Sequence, residues 1–320
     1  MALLGLVTVR AMRRLAILIL VLAIAAPAVV LGVLPAVMLA AYRKPVASPP
    51  VDLPVTAVRF TAEDGVPLTA WSAEAESPKA TVILVHGATG NRGDVYVGLY
   101  DMMRDLLGRG YSVLALDLRN HGDSGDGPRP PSFGPDEARD IRAAIDWIKS
   151  RNASRRVAVL GISMGGNAAI YAAVADPRIE ALITMATYAV APPVTARGVA
   201  AESGLPAVVV DAVLWGARNL WGFADEEGRA IDVAARLGDR PWLIIHSLSD
   251  PIVPFDDAKA LAAADPAAAL WATPAPSVRE PLIVAAGAWG SHALSYRLYR
   301  EQWVDQVSAF LDHSFATMFG

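Results

Sequence analysis

The chain has 320 residues, 54% of them hydrophobic and 19% charged, with a formal net charge of −4. So apolar a composition excludes a disordered chain, and the negative balance argues against a protein that binds nucleic acid by neutralising phosphates. Cysteine is absent, which excludes disulfides, thiolate nucleophiles, zinc–thiolate sites and iron–sulfur clusters.

Arg10, Arg13 and Arg14 precede an uncharged run from Leu15 to Tyr42. A helix needs about 20 apolar residues to cross a bilayer, and this run exceeds that. Residues 1–42 therefore read as a transmembrane anchor or as a signal peptide cut near Ala26-Pro27-Ala28. Apolar residues continue well past that cleavage site, which favours the anchor. Pro27 and Pro35 are expected to kink or end the helix. The excess of arginine ahead of the run favours a cytoplasmic N-terminus, with the rest of the chain outside an inner membrane. Residues 43–54 hold Pro45, Pro49, Pro50 and Pro54 and read as a stiff, extended linker. The folded domain is expected over 55–320.

Within that domain strand-like and helix-like segments alternate, the pattern of a mainly parallel sheet covered on both faces. Val55–Ala62 and Val66–Ala73 flank Asp64-Gly65, a hairpin signal for two antiparallel edge strands. Six short aliphatic runs follow as buried strands: Thr81–Val85, Ser112–Leu116, Arg156–Leu160, Ala181–Met185, Trp242–Ile245 and Leu282–Ala286. Helices are expected near Tyr96–Arg109, Asp136–Arg151, Gly165–Ala175, Asp256–Ala264 and Ser295–His313. The fold class is thus α/β, an eight-stranded sheet with helices on both faces. The stretch 187–236 breaks the alternation and reads as a small helical cap. Its Trp215, Trp221 and Phe223 either pack a core of its own, line an apolar substrate pocket, or touch lipid.

Gly161-Ile162-Ser163-Met164-Gly165-Gly166 follows one expected strand and opens a helix. A bare G-x-S-x-G motif is weak, and an ordinary glycine-rich turn has the same composition. The strand–turn–helix setting matches the strained elbow that lifts a serine hydroxyl above a sheet. His86-Gly87-Ala88 follows another strand, where such a fold places its second oxyanion donor. The backbone N–H groups of Met164 and Ala88 are the candidate donors. His86 reads as a loop brace.

With these elements in place the chain resembles an α/β-hydrolase over roughly 55–313. The resemblance rests on His86-Gly87, Leu116-Asp117-Leu118-Arg119-Asn120-His121-Gly122-Asp123-Ser124, the elbow at 161–166, and Asp250-Pro251-Ile252-Val253-Pro254. Order and spacing resemble bacterial serine hydrolases of the esterase, lipase and serine aminopeptidase-like branches. The resemblance implies Ser163 as nucleophile, Asp250 as acid and His292 as base, with His121 structural. Asp256 and Asp257 compete for the acid role but fall in a helix. His246 ends a buried strand, and His313 lies at the tail of the last helix. His292 follows the expected strand Leu282–Ala286, the position expected of the base. Two departures stand out: Ser247 occupies the usual glycine after His246, and Ser291 the usual glycine before His292.

The implied activity is ester hydrolysis through an acyl-enzyme on Ser163, the substrate being a small-molecule or lipid-like ester at a membrane. A serine peptidase and a catalytically silent scaffold that binds a ligand or protein partner are the alternatives. No metal, organic cofactor or nucleic-acid partner is implied. The sequence leaves the oligomeric state open.

Overall fold

A computed structural model describes residues 2–40 and 42–316. Helix α1 (Ala2–Ala28) continues through a π-helical turn at Val29–Val33 into α2 (Leu34–Ala40). Pro27 and Pro35 do not stop this helix. Both are accommodated on either side of the π turn, the usual local adjustment that re-satisfies a backbone freed by proline. Met12–Ala40 forms one apolar helix long enough to cross a membrane or to act as a signal sequence.

Eight strands follow, threaded by helices: β1 (Thr56–Thr61), β2 (Pro67–Ala73), β3 (Thr81–Val85), α3 (Leu99–Gly108), β4 (Ser112–Leu116), α4 (Glu137–Arg151), β5 (Val157–Ile162), α5 (Met164–Ala175) and β6 (Ala181–Met185). Then come α6 (Ala191–Ser203), α7 (Ala207–Trp221), α8 (Ile231–Ala234), β7 (Trp242–Ser247), α9 (Phe255–Ala264), β8 (Ala268–Thr273), α10 (Pro281–Ala286), α11 (Ser295–Leu298) and α12 (Arg300–Ala316). The strands form one sheet in the order β1-β2-β4-β3-β5-β6-β7-β8. It is mixed. β2 runs antiparallel to both β1 and β4, and every other pairing is parallel.

Strands β3 to β7 are buried along their whole length, as the continuous aliphatic runs require of strands covered on two faces. Two apolar cores lie on opposite sides of the sheet. One joins α4, α5, α9 and the helices inserted after β6. The other joins α3 to α12, where Met102, Met103, Trp303 and Leu311 meet the sheet. Helices α6 to α8 make up the insertion between β6 and β7, and α6 and α7 meet at a 118° bend.

Two expectations are corrected. The eighth strand is Ala268–Thr273, which pairs in parallel with β7, whereas Leu282–Ala286 falls in helix α10. Proline at the first position of α10 pre-sets its helical φ, and its Val284 side chain is exposed, so this aliphatic run was never a buried strand. The expected last helix is broken at Tyr299 into α11 and α12.

The proline-rich segment 43–54 is fastened to the domain and does not span free. Arg43 donates to the carbonyls of Gly122 (2.7 Å) and Ser124 (2.8 Å) and pairs with Asp126 (2.6 Å). Asn91 donates to the carbonyl of Pro45 at 3.1 Å, and the Tyr100 hydroxyl donates to that of Ala47. Ahead of it Tyr42 is buried among His121, Phe133 and Phe223.

Candidate active site

Parallel strands deliver the site. β3, β5 and β7 end at one edge of the sheet, and the loops after them carry His86–Ala88, Ser163 and Asp250. Ser163 sits between β5 and α5 with φ 52° and ψ −115°, a conformation that strains a side-chain-bearing residue and concentrates at functional sites. Glycine makes the turn possible. A Cβ on Gly165 would collide with the backbone of Val85 and His86, and one on Gly161 with that of Gly165. The helix therefore starts hard against the β3 loop, and a Cβ on Gly87 would come into van der Waals contact with the Ser163 side chain.

Ser163, His292 and Asp250 are brought together in one hydrogen-bonded chain. His292 Nε2 lies 3.2 Å from Ser163 Oγ, and its Nδ1 lies 2.8 Å from Asp250 Oδ2. Asp250 Oδ1 accepts the backbone N–H groups of Ile252 and Val253, each at 2.9 Å. Burial opposes its ionisation, but the facing His292 and the Val253 N–H outweigh burial and hold its carboxyl below the ordinary value. Arg197 of α6 donates to the Ile252 carbonyl at 2.6 Å, so the inserted helices brace the acid loop. Tyr96 donates to the His292 carbonyl at 3.2 Å and steadies the base loop.

The competing groups do other work. Asp257 accepts the Ala189 N–H at 3.1 Å and lies outside the chain of three. His86 accepts the Leu118 N–H at Nε2 and pairs through Nδ1 with the Gly87 carbonyl. Burial, and then the neighbouring His121, lower its pKa from 6.5 to about 3. Burial likewise lowers His121 and His246. All three are neutral braces. His313 is exposed on α12, remote in sequence and on another element.

Met164 and Ala88 flank the serine. As the first residue of α5, Met164 has an N–H outside the helical ladder. The next N–H groups to be used, those of Gly166 and Asn167, turn back to the Ser163 carbonyl. At Ala88 the preceding carbonyl, Gly87 O, is engaged by His86 and by the Gly90 N–H. Because a trans peptide points its N–H and C=O in opposite directions, the Ala88 N–H faces away from those two partners.

Ser163 and His292 open into a cavity of about 700 Å³, within the size range of small-molecule sites. Its walls are mostly apolar: Val194 and Val199 of α6, Val213 of α7, Ile252 and Trp289 all contribute. Leu34, Val37 and Met38 of α2, with Tyr42, complete the lining. The sequence reading missed this contribution, because nothing local in an apolar run says which enzyme wall it will become. Among the described residues no group of His, Asp and Glu is arranged to hold a metal ion.

A family profile for the alpha/beta hydrolase fold matches residues 80–203. An esterase of Pyrococcus furiosus has a TM-score of 0.68 at 25% identity, covering 85% of this chain and 98% of the esterase. The uncharacterized protein YfhR of Salmonella typhi is 25% identical over 221 residues, 66% of this chain and 70% of its own. Lysophosphatidylserine lipase ABHD12 of Xenopus tropicalis is 35% identical over 97 residues, 30% of this chain and 23% of the lipase. These likenesses support a hydrolase.

Proposed function

We propose that this chain, a member of the α/β-hydrolase superfamily, is a serine hydrolase that cleaves carboxylic esters with apolar acyl groups. The observation that carries the reading is the Ser163–His292–Asp250 chain at the floor of an apolar cavity. The likeness to an esterase and, over a shorter stretch, to a lysophosphatidylserine lipase supports an ester over a peptide bond.

In this mechanism Ser163 Oγ attacks the acyl carbonyl while His292 Nε2 takes its proton. Asp250 holds the Nδ1–H tautomer and stabilises the imidazolium that forms. The N–H groups of Met164 and Ala88 receive the oxyanion, each such donor being worth about 10²–10³-fold in rate. Collapse expels the alcohol, which leaves with the proton from His292, and Ser163 keeps the acyl group. Water, deprotonated by the same imidazole, then attacks the acyl-enzyme and frees the acid. The strained elbow and the buried acid need no rearrangement during this cycle, and fixed dipoles of this kind are the main source of such rate gains.

The apolar helix Met12–Ala40 is proposed as an uncleaved anchor in an inner membrane, with the catalytic domain on the outer side. What supports retention is that the apolar run continues well past Ala28, through residues 29–40. The test uses the full chain in detergent with p-nitrophenyl esters of increasing chain length. Turnover that Ser163→Ala abolishes is the expected result. A Ser163→Ala protein that still turns over ester would refute the assignment.

A further inference from the structure

The N-terminal helix has two regimes along its length. From Met12 to Val29, 18 residues, every side chain is exposed. Arg13 and Arg14 stand at its start, and the uncharged part from Leu15 to Val29 is about 22 Å long at 1.5 Å per residue, most of the hydrocarbon thickness of a bilayer. From Val30 onward the helix begins to bury against protein. The contact is close: a Cβ on Gly216 of α7 would collide with the backbone of Leu31. The end of that exposed stretch thus coincides with the docking point of α7, and the residues just beyond it, Leu34, Val37 and Met38, line the cavity over Ser163. Val37 lines that cavity while remaining 61% exposed, so it stands at the mouth.

Helix α7 carries a second, independent signal. Trp215, next to the Gly216 docking point, is 52% exposed, and Val208, seven residues earlier on the same helical face, is 74% exposed. Leu220, one turn beyond Gly216, is 60% exposed. Exposed tryptophan and aliphatic side chains beside the end of a membrane-spanning helix, with the exposed Asp211 between Val208 and Trp215 to meet the headgroups, are the composition of a bilayer interface.

We propose that the ester enters from the bilayer itself. The mouth between α2 and the α6–α7 insertion faces the leaflet, α7 is seated in its interface, and the occupant is the acyl chain of a lipid ester whose carbonyl reaches Ser163. The inference rests on the ester-hydrolase reading above and deepens it. The lipid ester moves along the anchor helix into the apolar cavity without crossing water. The anchor is therefore a wall of the substrate path as well as a tether.

The test compares the full chain with Val208→Asp/Trp215→Asp, whose side chains lie outside the cavity lining. Each is reconstituted in phosphatidylcholine vesicles and given a fluorogenic long-chain ester held in the same bilayer, or water-soluble p-nitrophenyl acetate. The expected result is unchanged turnover of the acetate and a fall of about tenfold in the bilayer-held ester, because carboxylates are disfavoured at a lipid interface. An unchanged ratio of the two rates would overturn the inference while leaving the hydrolase intact. A second measurement needs no turnover. Brominated phosphatidylcholine should quench part of the tryptophan emission, and that part should fall in Trp215→Phe to what the exposed Trp221 contributes. Equal quenching in both proteins would overturn the bilayer seat even if neither hydrolysed any ester, the result that would instead sink the hydrolase reading.

Discussion

Replacing Tyr42 by alanine asks whether the segment joining the apolar helix to the domain is structural. The Tyr42 ring is 6% exposed and lies 5.8 Å from the His121 ring and 6.1 Å from that of Phe133, both edge-on, with Phe223 at 6.3 Å. Truncating a buried aromatic side chain costs roughly 3–5 kcal/mol in lost transfer energy and residual cavity. For a chain of this size each kcal/mol moves Tm by about 2–4 °C, so the expected drop is about 6–20 °C. The assay is scanning calorimetry of the full chain in detergent, beside Tyr42→Phe, which keeps the ring and should keep most of the stability. A free tether predicts a Tm within about 2 °C of the parent, as for an ordinary surface substitution. That result would refute the packing argument for Tyr42.

Other outcomes follow from the same geometry. Asp250→Asn should lower kcat by roughly 10⁴-fold through the wrong imidazole tautomer, while its circular dichroism stays native. Asp250 has a folded-state pKa below its unfolded value, so its stabilising contribution is complete above pH about 4 and is lost as pH falls through that lowered value. Difference urea titrations of parent and Asp250→Asn against pH should converge only in that acid range. His86, His121 and His246 also have lowered folded-state values and are neutral when folded, so the unfolded chain binds the extra protons below pH about 6.5. Stability should therefore decline with acid from there down, with a limiting slope of about 1.4 kcal/mol per pH unit for each histidine, and His86→Gln should flatten the urea-midpoint profile. Met38→Trp should fill the α2 side of the cavity and move the optimum of a p-nitrophenyl ester series to shorter acyl chains. Gly216→Leu should force α7 off the Leu31 backbone and depress long-chain turnover more than acetate turnover.

How far the molecule is readable without coordinates depends on how local each signal is. The elbow at Ser163 was legible because a strand, a tight glycine turn and a helix are written consecutively, and their geometry follows from backbone sterics alone. The central strands were legible because burial on both faces demands aliphatic runs. β8 was not. Three of its six residues are alanine, a poor strand former, and pairing along β7 supplies what propensity does not. His292 was located through a strand that proved to be helix α10, yet it lies beside Asp250 because chain order and the loops at one sheet edge constrain it more than the preceding element does. The walls given by Leu34, Val37 and Met38, and the anchoring of Arg43 to the loop at Gly122 and Ser124, join segments far apart in sequence. No periodicity encodes such contacts, so composition alone reads the proline-rich stretch as a spacer.

The central claim is that Ser163 is a nucleophile activated by His292. Its most direct test is to expose the full chain in detergent to an alkyl fluorophosphonate and map the adduct by peptide mass spectrometry. A single adduct on Ser163 is expected, absent from Ser163→Ala and strongly slowed in His292→Ala. An unlabelled Ser163 in folded protein, or labelling that survives Ser163→Ala, would contradict that claim.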